Sequence, residues 1–143
     1  MRRLLVLLLA VVLLGGCGDD ADDYCDAVAD RQEELSEVVG AGQPDALLQS
    51  LDILRELQDR APSDISDEWQ QVVGSIEGLR DALDDAGVDA AAYDPQHPPA
   101  GLAAAQRKAI ADAATRLGSA ETAQALQDLD QQARDVCHTP LTL

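Results

Sequence analysis

The residues of this 143-residue chain best suited to covalent or metal chemistry are Cys17, Cys25, Cys137, His97 and His138. Thiolates attack carbon, pair as disulfides or hold soft metals, and imidazoles move protons or ligate. Three cysteines are an odd number, and a disulfide framework takes them in pairs, so one has another fate. A metal site from Cys25, Cys137 and His138 would offer only three ligands, without the C-x-x-C spacing of structural zinc. No metal and no cofactor are therefore expected. Ser36, Ser50, Ser63, Ser66, Ser75 and Ser119 lie in no G-x-S-x-G elbow. P-loop, H-E-x-x-H and Rossmann glycine patterns are absent from the sequence. The carboxylates spread over helix faces as solvated charge. The expectation is a protein that is not an enzyme.

The amino terminus gives the odd cysteine its fate. Arg2 and Arg3 precede Leu4 to Leu14, a run with no polar side chain that is too short to cross a bilayer as a helix of about 20 residues. Leu14-Gly15-Gly16-Cys17 follows. This resembles the lipobox of bacterial lipoproteins: an aliphatic residue, two small residues and a cysteine. The resemblance covers residues 1–18. It implies a diacylglycerol on the Cys17 thiol and cleavage just before it. Two acyl chains anchor stably where one binds only marginally. Cys25 and Cys137 are then left, and outside the cytoplasm they are expected to form a disulfide. The expected organisation is a signal peptide over 1–16, a lipidated acidic tether over 17–23 and a helical domain over 24–143.

Charge agrees with that placement. The whole chain carries −17, and cleavage leaves 8 basic against 27 acidic residues, or −19. Such a domain repels nucleic acid and anionic headgroups, so the membrane contact must be the lipid on Cys17. One Lys, no Asn and no Phe against 24 Ala and 20 Asp suggest a high-GC genome, actinobacterial or else haloarchaeal.

Helix formers dominate the body, and no alternating run of strand length occurs, so the fold is expected to be all-α, a bundle of four to five helices closed by one disulfide. The first helix spans about 22–39 with Val28, Leu35 and Val38 inward. The second, about 45–60, has an apolar arc of roughly 220° (Leu47, Leu48, Leu51, Ile53, Leu54, Leu57), either packed on two sides or forming a groove. The third opens at Ser63 or Asp64 as N-cap, carries the seam Ile65, Trp69, Val72, Ile76, Leu79 and Leu83, and ends at a left-handed Gly87. The fourth, about 101–117, turns Leu102, Ile110, Ala113 and Leu117 inward. It is basic through Arg107, Lys108 and Arg116, and is expected to dock among acidic neighbours. Gly118 reads as a C′ glycine and Ser119 as a new N-cap. The fifth, about 120–137, turns Ala123, Leu126, Leu129, Ala133 and Val136 inward.

Five strictly alternating helices would leave Cys25 and Cys137 at opposite poles, whereas a disulfide needs Cα atoms within about 7 Å. Residues 88–100, which could reach about 40 Å, are therefore expected to cross along the bundle with Tyr93 packed on it. The alternative is that the last two helices run on as one bent rod.

The chain also resembles small uncharacterised actinobacterial lipoproteins, with a cysteine just after the anchor and the ending Val136-Cys137-His138-Thr139-Pro140-Leu141. The resemblance implies no activity. The expected function is a membrane-anchored, non-enzymatic interaction or structural module of the cell envelope, on the outer face of the cytoplasmic membrane. It is expected to be a monomer that meets an envelope protein or lipid. The alternative is a carrier or sensor of an apolar molecule beside the second helix, with Leu48, Ile53, Leu57, Trp69, Tyr93 and His97 as the candidate face.

Overall fold

Helix-forming composition and the seam of the third helix produce a bundle in which one long helix touches nearly everything else. The computed structural model describes residues 19–143. The expected signal peptide and Cys17 lie outside the described residues. The elements are α1 (Asp19–Gly40), α2 (Ala46–Gln49), α3 (Leu51–Arg60), α4 (Ser66–Ala86), α5 (Ala104–Leu117) and α6 (Ala120–Gln132). A 3-10 turn, Ser63–Ile65, leads into α4, and a π turn, Ala133–Cys137, ends α6. The described residues contain no strand.

α4 packs against α2, α3, α5 and α6. Its seam supplies Trp69, Val72, Ile76 and Leu83 to the core, each no more than 4% exposed. Gly87, at φ 67°, ends it in a Schellman motif: its amide donates to the Asp84 carbonyl at 2.9 Å, and that of Val88 to the Leu83 carbonyl at 3.0 Å. The expected side-chain cap at Ser63 or Asp64 is replaced by the 3-10 turn, and α4 starts at Ser66 without a side-chain cap.

The second helix is two pieces. The Ser50 hydroxyl, fully buried, donates to the Leu47 carbonyl at 3.0 Å, taking the acceptor an uninterrupted helix would give to the Leu51 amide. The break lets Leu51, Ile53, Leu54 and Leu57 face α1 and α4 together, while Leu47 stays exposed. The wide apolar arc is thus packed on two sides.

α1 starts at Asp19, so residues expected to lie in a tether are helical. Asp22 and Asp23 sit at its positive end, where carboxylates are favoured. Tyr24, Ala27, Val28 and Leu35 form its buried stripe. Val38 is only half-buried.

Residues 88–100 do not cross along the bundle. They loop out and return to the end of α4 they left: Gln106 Nε2, in the first turn of α5, donates to the Asp85 carbonyl at 3.4 Å. Farther on, Gln71 Nε2 donates to Thr122 Oγ1 at 2.9 Å. Fourteen residues back along α4 therefore match sixteen forward through α5 into α6. Both helices run antiparallel to α4 as one bent rod, which returns Cys137 to the pole of Cys25 without a crossover. Gly118 has φ −84° and is not left-handed, because the chain is not reversing there. Ser119 does cap α6, accepting from the Thr122 amide at 3.2 Å.

The inward face of α6 is Thr122, Ala125, Leu129 and Ala133. Ala123 is exposed instead, as is Val136, at 49%, on the π turn that carries Cys137. α5 packs on α4 through Leu102, just ahead of it, and Ile110. Its cations do not dock among acidic neighbours. Lys108 pairs with Asp112 on its own helix, and Arg107 and Arg116 are exposed.

Candidate functional site

The disulfide pole is the most constrained part of the molecule. Cys25 and Cys137 are bonded, with Cα atoms 4.9 Å apart. Beside them Tyr24 and Trp69 meet edge to face, ring centroids 6.3 Å apart, and are 0% and 1% exposed. Burial pushes the Tyr24 phenol up to about 12. Among the described residues neither Tyr24 Oη nor Trp69 Nε1 has a hydrogen-bond partner.

The chain then turns back on itself. His138 takes φ 55°, the left-handed region, and the Thr139 amide reaches the Ala133 carbonyl at 3.4 Å. The tail beyond it lies between α1 and α6. Gln32 Nε2 donates to the Pro140 carbonyl at 2.9 Å. The Leu141 amide donates to Asp130 Oδ1 at 3.0 Å, and Arg134 Nε holds Oδ2 of the same carboxylate at 2.8 Å. The Leu143 amide donates to Ser36 Oγ at 2.9 Å. Leu141 is 7% exposed and belongs to the main core, whereas Leu143 is 86% exposed.

Halfway along α4 sits a polar knot. Thr122 Oγ1 donates to the Arg116 carbonyl at 3.0 Å, accepts from Gln71, and lies 3.2 Å from both Ser75 Oγ and Ser119 Oγ. Thr122 and Ser75 are buried, so this knot fixes the register of the bent rod against α4. Below it, Asp67, Glu68, Gln71, Glu121, Gln124 and Asp128 line an open groove of about 460 Å³ between α4 and α6. Its rim is anionic and will repel phosphates and nucleic acid.

At the far pole, a concavity of about 350 Å³ is lined by Ala86, Val88, Pro99 and Leu102 among other small residues, with Asp89 in its wall. His97 lies on the adjoining loop, exposed, with Nδ1 2.8 Å from Asp94 Oδ2. That contact, and amide bonds from Gln96 and His97, hold the Asp94 carboxyl below its usual range.

The six residues proposed from sequence as one face are not one face. Ile53, Leu57 and Trp69 are core, at most 7% exposed. Leu48 and Tyr93 are half-buried, and His97 is exposed. Trp69 and Ala86 lie at opposite ends of α4, about 25 Å apart at 1.5 Å per residue, and the Tyr93–His97 loop belongs to the Ala86 end. Neither concavity is lined by α3 or by Trp69. Among the described residues no group of three or more His, Cys, Asp or Glu could hold a metal ion. No described helix is long and apolar enough to cross a membrane.

No family model, no curated protein and no solved structure matches the chain.

Sequence reasoning missed the seat of the tail and the Thr122 knot. A signal for the first was present: Pro140-Leu141 just past a cysteine offers an apolar side chain where a helix has ended. The knot had none, because Ser75 and Thr122 come together across 47 residues.

Proposed function

We propose that this protein is a lipid-anchored, extracytoplasmic helical lipoprotein acting as a non-enzymatic interaction module of the cell envelope. The observation that carries the reading is the ordered run Arg2-Arg3, Leu4 to Leu14 and Leu14-Gly15-Gly16-Cys17 immediately ahead of a helical domain. α1 begins at Asp19, two residues past Cys17, so a lipidated Cys17 would hold the bundle against the membrane surface by its disulfide pole. With a net charge of −19 the mature domain would stand off anionic headgroups rather than lie down on them. The Cys25–Cys137 bond is consistent with an oxidising compartment.

Fractionation of expressing cells tests this. The native chain should sit in the membrane fraction and leave it only with detergent. Cys17→Ser should accumulate as uncut precursor. Recovery of Cys17→Ser as a mature, cleaved, membrane-bound protein would sink the reading.

A further inference from the structure

We propose that the cleft between α1 and α6 is a peptide-recognition groove held closed by the chain's own C-terminal tail. It deepens the interaction-module reading and rests on it. The occupant it fits is an extended segment of a partner protein with a leucine flanked by free backbone carbonyl and amide groups.

The tail shows what the cleft reads. Gln32 from α1 takes the Pro140 carbonyl, and Asp130 from α6 takes the amide of the next residue, Leu141. Each wall thus contributes one side chain to adjacent main-chain groups. Ser36 adds a second contact from α1, to Leu143. Main-chain contacts of this kind tolerate many sequences, and Leu141 is the tail's buried side chain.

Two features make the tail displaceable and its seat durable. The tail hangs from His138, a left-handed non-glycine residue, and past Leu141 its side chains leave the core, Leu143 being almost fully exposed. The walls are also joined to each other apart from the tail. α1 meets the end of α6 at the π turn, and the Cys25–Cys137 bond pins that meeting point. A cleft whose walls are pinned beforehand needs little reorganisation to accept a second peptide.

Leu141→Asp in the full chain changes no wall residue and opens the latch, because it sets a carboxylate in a buried seat beside Asp130. Circular dichroism and intact mass establish that helicity and the disulfide are kept. A labelled peptide Thr-Pro-Leu-Thr-Leu, matching residues 139–143, is then the probe. It should bind Leu141→Asp, and bind the native chain at least about tenfold more weakly, since a cleft free less than about a tenth of the time weakens apparent affinity by that fraction. Adding Gln32→Ala to Leu141→Asp should remove the binding. The proposal is overturned if folded, oxidised Leu141→Asp does not bind the peptide, or if it and the native chain bind equally. A native dimer that Leu141→Asp dissolves would assign the cleft to a second copy and overturn the partner. The Cys17 fractionation is indifferent to all of these results, so each reading can fail alone.

Discussion

The two poles of this bundle are built from opposite kinds of contact. At the disulfide pole, Tyr24, Trp69 and Leu129 come from helices far apart in sequence and are at most 1% exposed. A covalent bond ties α1 to the end of α6. At the other pole, residues 88–103 are held mainly by bonds within themselves: Asp89 Oδ1 to the Ala91 amide, Asp94 Oδ1 to the Gln96 amide, and the Leu102 amide to the Pro99 carbonyl. Long-range burial resists opening, whereas a self-contained loop can fluctuate or be cut while the rest stays folded. The first pole should therefore carry the stability, and the second should be energetically detachable.

Removing the disulfide should give the largest loss. Cys25→Ser and Cys137→Ser should destabilise by similar amounts. For a loop of about 100 residues the chain-entropy ceiling is about 4.7 kcal/mol, and measured values often fall short. Thermal melts of the two variants check this. Unequal losses would mean that one thiol has a packing role the other lacks.

Alkali probes the same pole without mutation. An unfolded tyrosine ionises near pH 10, and buried Tyr24 near 12. The folded pKa is the higher, so stability is whole below pH 10 and falls as pH rises from about 10 to about 12. The loss should total a few kcal/mol, on the order of two pKa units. Tyr24→Phe should abolish that alkaline loss. If the melts of native and variant chains fall in parallel between pH 10 and 12, Tyr24 is not sealed in the core.

Midway between the poles, Thr122→Val keeps the shape of the side chain and deletes its hydroxyl. Gln71, Ser75 and the Arg116 carbonyl would each lose a partner. A loss of about 1–3 kcal/mol is expected from unsatisfied buried groups. A change under about 0.5 kcal/mol in denaturant melts would show that water serves the knot as well as Thr122 does.

The same contrast governs what the sequence could reveal. The α4 seam, the left-handed Gly87 and the Ser119 cap are local patterns, and each stands where its spacing puts it. The disulfide was reachable once Cys17 had been set aside. The direction of the last two helices was not, because parity alone allowed either a crossover or a bent rod. What decides between them is the Gln71–Thr122 contact, and no periodicity encodes it. The candidate face failed for a similar reason. Trp69 and Leu57 look like binding residues only while their burial partners are unknown.

The smallest effect expected is at the loop pole. Brief treatment with a non-specific protease should cut first within residues 93–99, where His97 and Pro99 are exposed and the hydrogen bonds are short-range. A cut there divides the chain between Cys25 and Cys137, so the disulfide keeps the fragments together. The product should run as one band without reductant and as two with it. Its melting point should drop by the equivalent of about 1 kcal/mol or less, because Leu102 and the helices on either side keep their places against α4. First cleavage elsewhere, for instance in the tail after His138, would mean that the latch and not the loop is the loose end. A nicked chain that unfolds would mean that residues 88–103 hold the bent rod to α4, and the contrast between the poles would collapse.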